Sequence, residues 1–215
     1  MIELPGLDDL LGGNLSITFL LMAICVAVSL VGFWALGRDR YRRYFVFRPS
    51  KAAKDRSWVG AVLSHFAHGD VGHLLVNLFA LFVFGPRVER TLGPLPYLAL
   101  YAASGIAGTL LVHLFRRNRP RHAALGASGS IAGVVFASIV LSPGSRLMLL
   151  VFPFPIPAPV FAVLYLVVSS LSMGSRDGVA HEAHIGGAIV GFGLAGLLSA
   201  QGFAPLLGEV GRLVG

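Results

Sequence analysis

Long apolar runs without a single charged residue recur along this chain of 215 residues. Residues 15–36 form the first of these runs, and residues 123–145 form another charge-free block. A helix needs about 20 mainly apolar residues to cross a bilayer, and a helix satisfies its own backbone hydrogen bonds in lipid. The pattern predicts an all-α membrane protein, a six-transmembrane-helix bundle with spans at 15–36, 72–90, 95–115, 127–141, within 147–175, and 183–200.

The composition agrees with a membrane location. Charged residues make up 13% of the chain and the mean hydropathy is +0.78, whereas soluble domains carry about 25% charged residues. We expect a short N-terminal segment at 1–14, one membrane domain at 15–200 and a short C-terminal tail at 201–215. In the fifth span, alternating prolines from Pro153 to Pro159 predict an extended segment, with the helix starting near Pro159.

Positive charge is concentrated in the loops. The net charge is +7, and residues 38–58 mix eight lysines and arginines with aromatic residues. This mixture is typical of a segment at the membrane surface, so we assign the charge to topology and to lipid headgroups rather than to nucleic acid. The single cysteine, Cys25, excludes an intramolecular disulfide.

A serine between glycines opens the fourth span. Gly126, Ser128 and Gly129 lie at the head of an apolar helix, where the glycines leave the hydroxyl uncovered and let another backbone approach. On this evidence alone a small-residue packing face is the more common explanation. Gly133 extends that face.

Polar residues open the second span as well. His73 and Asn77 are four positions apart and so share one helix face. They fit either interhelical hydrogen bonds or a lined cavity. At the other end of the span we expect Arg87, Glu89 and Arg90 to form an ion-pair network among the headgroups.

The sixth span begins with His184, followed by the small residues Gly187 and Gly191. His184 fits an interface histidine bonded to a carbonyl, or a base. In a six-span chain, His73, Ser128 and His184 all follow loops on the same side of the membrane. Three polar positions therefore fall at one depth.

This convergence permits serine chemistry. A neutral imidazole activates a serine by accepting its proton, and His184 and Ser128 could form such a pair if their helices approach closely. A dyad is the simpler hypothesis, because Glu182 is predicted to lie in a loop and on a different face from His184. His73, Asn77 and the backbone N–H of Ser128 are candidate oxyanion donors.

Together these motifs resemble the rhomboid family of intramembrane serine proteases. The similar stretches are residues 126–129, His73 with Asn77, residues 183–187, residues 64–69, and Glu89-Arg90 with Gly93. The resemblance implies a six-helix core that cleaves single-pass transmembrane proteins in or near their membrane segment, without a metal or cofactor. It implies that Ser128 is the nucleophile, His184 the general base, and His73 and Asn77 the oxyanion donors. The basic first loop and the alternating prolines depart from the family pattern.

Other functions fit less well. A catalytically inactive rhomboid-like membrane adaptor would lack the serine or the histidine. A metalloprotease favours histidines four apart on one helix, whereas His181 and His184 are three apart. A transporter would be expected to carry inverted repeats.

The sequence also bears on the membrane in which the protein lies and on its orientation there. The apolar spans predict an integral multi-pass membrane protein. The excess of arginine over lysine, with abundant glycine and alanine, is typical of a high-GC bacterial genome and so suggests a bacterial inner membrane. The first, third and fifth loops hold 13 of the 17 lysines and arginines. Charge alone would place that side in the cytoplasm, while the resemblance places it outside. We expect the resemblance to decide.

Overall fold

The computed structural model describes residues 16–51, 57–120, 122–147, 154–173 and 180–215. Most of these residues are helical. The helices are α1 Ile17–Leu36, α2 Asp39–Arg42, a 3₁₀ turn Pro49–Lys51, α3 Ser57–Leu63, α4 Val71–Leu92, α5 Pro94–Arg116, α6 Ser128–Leu141, α7 Ala158–Leu171, α8 His181–Leu198 and α9 Ala204–Val214. The strands β1 Arg146–Leu147 and β2 Ile156–Pro157 pair antiparallel.

The predicted helical membrane protein is confirmed. Within the described ranges, α1, α4 and α5 are long and apolar enough to cross a membrane. The fourth, fifth and sixth predicted spans are helices of 14, 14 and 18 residues, in the predicted places. That all six helices cross the bilayer stays a prediction.

Glycines bring three helices into backbone contact. A Cβ built on Gly187 of α8 would overlap the carbonyl oxygen of Gly129 in α6, and one built on Gly191 would overlap that of Gly133. On the other side of α8, a Cβ on Gly186 would lie 2.7 Å from the carbonyl oxygen of Ala107 in α5. Small residues allow this approach, so the predicted glycine stripes form the packing core of the bundle.

The start of α1 is fastened to the end of α4 by a carboxylate. Glu89 accepts hydrogen bonds from the backbone N–H groups of Ile17 and Thr18, at 2.7 and 2.9 Å, and from the hydroxyls of Ser16 and Thr18, both at 2.7 Å. The expectation that Glu89 serves an ion-pair network is therefore wrong for this residue. An acidic group at a helix N-terminus satisfies N–H groups that have no partner within the helix.

The loops and the tail also carry structure. Val46 and Phe47 of the first connector are buried, and Phe47 exchanges backbone hydrogen bonds of 2.8 and 2.9 Å with Ala124, just before the serine motif. β2 is extended up to α7, which begins at Ala158, one residue earlier than predicted. The predicted tail contains the helix α9. Residues 1–14, Lys54, Arg56 and Pro153 lie outside the described residues.

Candidate active site

Ser128 is the first residue of α6 and lies half-buried at the N-terminal end of the helix. The first helical hydrogen bond in this turn is donated by Ile131 to the carbonyl of Ala127, at 3.0 Å. The N–H groups of the first turn have no acceptor within the helix, as at every helix start. The serine hydroxyl and a set of backbone donors therefore occur in the same turn.

Gly126 joins this turn to the rest of the site. Its φ of 127° disfavours any residue with a Cβ, and its N–H donates to the carbonyl of Ser64 at 2.7 Å. A Cβ at this position would lie 2.7 Å from Cε1 and 3.0 Å from Nε2 of His73, and 3.7 Å from Oγ of Ser128. The His73 imidazole and the Ser128 hydroxyl therefore border the same small space, as the sequence predicted.

His73 is oriented by its neighbours. Asp70 caps α4 and accepts the N–H of His73 at 2.8 Å. The ring of His68 meets the ring of His73 edge-on, with centroids 5.1 Å apart, and its Nδ1 lies 2.9 Å from the hydroxyl of Ser29 in α1. Burial, reinforced by the positive form of His73, lowers the pKa of His68 to about 4, so His68 is neutral at physiological pH.

Asn77 lies one turn further into α4 and is buried. Its Nδ2 donates to the carbonyl of His73 at 3.0 Å. One of the two amide N–H bonds is thus used within the helix, and the other has no acceptor among the described residues. The shared face of His73 and Asn77 is present, while the oxyanion role of both stays a prediction.

His184 lies in the first turn of α8, next to the turn that carries Ser128. A Cβ on Gly129 would be 3.2 Å from the carbonyl oxygen of Ala183, so the two turns touch beside the serine and the histidine. The His184 ring stacks near Tyr165 of α7, with centroids 6.2 Å apart and an interplanar angle of 30°. His181 lies edge-on to it at 6.0 Å.

A small cavity of about 30 Å³ opens behind Ser128. Its polar lining includes Ser64, His65 and Thr109, and Nε2 of His65 lies 3.0 Å from Oγ1 of Thr109. Burial lowers the pKa of His65, which keeps the ring neutral. A cavity of this size holds about one or two waters, and polar groups to bind them are present.

Glu182, two residues before His184 in the sequence, lies in a helix and not in the predicted loop. Glu182 belongs to the first turn of α8, is 2% exposed and forms an ion pair with Arg116 at the end of α5. The expectation that Glu182 lies in a loop is wrong, because α8 starts at His181. Its side chain is directed to α5, so the structure gives no support to Glu182 as a third member of a catalytic triad.

Sequence reasoning missed three side chains around the site: Arg116, which was counted as a loop charge, Tyr165 and Thr109. Each reaches the site through a contact between distant segments. The one signal in the sequence was a lone acidic residue beside His184, which needs a basic partner once it is buried.

Metal ligands are not grouped around these residues. In the part of the chain that the structure describes, no three His, Cys, Asp or Glu side chains lie close enough together to hold an ion. The side chains present are a hydroxyl, several imidazoles and an amide. They suit nucleophilic and acid–base chemistry.

The family model and the relatives that match this chain all belong to one family. The model of the rhomboid domain matches residues 55–201. The chain is 34% identical over 153 residues to the zebrafish (Danio rerio) presenilin-associated rhomboid-like protein A, mitochondrial, covering 69% of this chain and 39% of that protein. It is 32% identical over 186 residues to the yeast (Saccharomyces cerevisiae) rhomboid protein 1, mitochondrial, covering 82% and 51%.

A bacterial relative is also found. The chain is 31% identical over 155 residues to the rhomboid protease AarA of Providencia stuartii, covering 62% of this chain and 53% of that protein. The chain thus spans about two fifths to one half of the length of these three curated relatives.

Proposed function

Because the chain belongs to the rhomboid family, we propose that it is an intramembrane serine endopeptidase that uses Ser128 and His184 as a catalytic dyad. The observation that carries the proposal is the meeting of three turns. The turn of Ser128 contacts the turn of His184 through Gly129 and Ala183, and Ser128 borders the same space as His73 in front of Gly126.

The proposed reaction begins with His184. Its neutral imidazole accepts the proton of Ser128 as Oγ attacks the carbonyl carbon of the scissile peptide bond. The resulting imidazolium then donates a proton to the leaving amine, and Ser128 remains as an ester. A water molecule, deprotonated by His184, hydrolyses that ester. The cavity that Ser128 lines with His65 and Thr109 offers a reservoir for this water, close to the serine in a region of apolar helices.

The negative oxygen of the tetrahedral intermediate needs donors. We assign His73, Asn77 and the backbone N–H of Ser128 to this role, because His73 borders the serine and Asn77 has one N–H left for an acceptor. Loss of one such donor lowers turnover by about 10²–10³. Asn77→Ala should therefore slow cleavage to that extent while a covalent probe still reaches Ser128. An Asn77→Ala variant with full activity would make Asn77 a packing residue.

Purified protein reconstituted in vesicles tests the dyad. The substrate is a single-pass transmembrane protein with small residues in its membrane segment. Ser128→Ala and His184→Ala should each lower cleavage by about 10⁴-fold or more and leave helicity and thermal unfolding unchanged. Ser130→Ala, two residues further along α6, is the matched control. Normal proteolysis by Ser128→Ala would refute the proposal.

The chain is an integral membrane protein, and we propose single-pass membrane proteins as its substrates. A bacterial inner membrane stays a prediction from composition, because two of the three relatives reported above are named as mitochondrial and one is a bacterial protease. The natural substrate will have to be found by comparing membrane proteins in cells with and without active Ser128.

We further propose that the site faces away from the cytoplasm. Single cysteines at exposed positions test this in a Cys25→Ser background: Asn118→Cys just after α5, on the side of the site, and Thr91→Cys in the last turn of α4, on the opposite side. An impermeant thiol reagent applied to intact cells should label position 118 and not position 91. The reverse pattern would show that the loop charges set the orientation.

A further inference from the structure

A buried ion pair lies beside the proposed base. Arg116, the last residue of α5, donates from Nε and Nη2 to the same oxygen of Glu182, Oε1, at 2.8 and 2.6 Å. The two side chains are 8% and 2% exposed. A buried ion pair is costly to desolvate and is often no more stabilising than an apolar pair of the same size. Its presence therefore points to a role other than stability.

Its position indicates that role. Glu182 precedes His184 by two residues in the same turn of α8, and two residues correspond to about 200° around a helix. With Glu182 held against α5, His184 is directed to the opposite side, where it meets Tyr165 of α7. The pair therefore fixes the rotation of the first turn of α8. The same turn contacts α5 through Ala183, whose carbonyl oxygen would lie 2.7 Å from a Cβ on Gly108.

The pair also sets the charge beside the imidazole. Oε2 of Glu182 is buried and has no hydrogen-bond partner among the described residues. Burial and the charge of Arg116 lower the pKa of the neighbouring His122, so this ring is neutral at physiological pH. Arg116 is the counter-charge of Glu182, and the two together leave no net charge from this pair on the turn that carries His184.

We propose that Arg116 and Glu182 are positioning residues for His184: they fix the rotation of its helical turn and cancel each other's charge on that turn. This inference rests on the proposed function, because it assigns the pair to the base of the Ser128–His184 dyad. Neither residue touches the substrate or the reacting atoms. In the described structure the rings of Tyr165 of α7 and His181 of α8 lie against His184. Ser128 belongs to the turn of α6 that contacts the turn of His184, and His122 lies near the ion pair.

The test separates this role from a merely structural one. Glu182→Gln keeps the shape of the side chain but leaves the guanidinium of Arg116 without a counter-charge. A positive charge beside an imidazole disfavours its protonated form. The pH midpoint of the acylation rate should therefore move down by about half a unit to one unit, with a several-fold lower kcat and an unchanged KM. Rates are normalised to active sites titrated by covalent labelling of Ser128.

The double variant Arg116→Met/Glu182→Gln removes both charges and should return the midpoint to that of the wild type. Arg117→Met, an exposed neighbour of Arg116, is the control and should leave the midpoint unchanged. The same shift must also appear in a His122→Gln background, since its loss there would assign the titration to His122 and overturn the proposal. An unchanged midpoint in Glu182→Gln, or one that the double variant does not restore, would also overturn it. If one of these two results is found while Ser128→Ala is inactive, the positioning role is rejected and the proposed dyad is retained.

Discussion

Two helices of equal length are built in opposite ways. α6 and α7 each have 14 residues and all are described, yet 11 residues of α6 are buried and only two of α7, Ala158 and Ser169. α6 packs against α5 and α8 through glycines and carries the serine. α7 exposes a broad apolar face and reaches the candidate site through the ring of Tyr165.

This difference indicates that the spacing of α6 and α8 must be exact, whereas the outer face of α7 has no such requirement. A serine and a histidine on separate helices can meet only if their backbones are held at a fixed distance, and the glycine contacts of α6 with α8 set that distance. If α7 crosses the bilayer as predicted, its outward-facing apolar side chains contact lipid, which is as apolar as they are. We therefore expect substitutions in the seam between α6 and α8 to matter far more than those on the outer face of α7.

The largest effect should come from filling the seam. Gly187→Leu places a side chain where the carbonyl of Gly129 lies, so α6 and α8 must separate and the turns that carry Ser128 and His184 must move apart. Cleavage should fall below detection, and thermal unfolding should occur at lower temperature. Gly193→Leu is the matched control in the same helix, because nothing lies within 4 Å of a Cβ at that position. Wild-type activity in Gly187→Leu would contradict this account of the seam.

An intermediate effect is expected where α7 reaches the site. Tyr165→Ala removes the ring beside His184 and its edge-on contact with Phe136, whose centroid is 5.4 Å away. Such ring contacts contribute about 0.5–1.5 kcal/mol, so kcat should fall by about two- to tenfold. Leu164→Ala, on the outer face of the same helix, should change kcat by less than about twofold. A loss as great as that of Gly187→Leu would mean that α7 positions the base.

The smallest effects compare the same truncation in both helices. Val134 of α6 is fully buried and Val163 of α7 is 62% exposed. Val134→Ala should lower the free energy of unfolding by about 1–3 kcal/mol because it leaves a cavity, and Val163→Ala by less than about 0.5 kcal/mol. Unfolding in detergent micelles, followed by circular dichroism, measures both. Equal losses would show that α7 is packed as tightly as α6.

The parts of the fold that sequence reasoning predicted depend on neighbours in the chain. Charge-free runs placed the helices within a few residues, and the spacing of Gly129, Gly133, Gly187 and Gly191 identified the faces that pack. His73 and Ser128 were expected to meet because both follow loops on one side of a helical membrane protein. The structure brings them together around Gly126.

The parts that were missed depend on partners far apart in sequence. Arg116 and Glu182 are 66 positions apart, and each taken alone is a charge next to a loop. His68 faces Ser29 across 39 positions, and Glu89 reaches Thr18 across 71. Which polar residue meets which is decided by how the helices dock, and no local pattern records it.

The proposed reaction requires that the hydroxyl of Ser128 is a nucleophile activated by His184. A fluorophosphonate probe, with mass spectrometry to locate the adduct, tests it without any knowledge of the substrate. We expect a covalent adduct on Ser128 in the wild-type protein and in Gly193→Leu, and labelling at least about 100-fold slower in His184→Ala. An adduct on another residue, or equally fast labelling of Ser128 in His184→Ala, would contradict the claim.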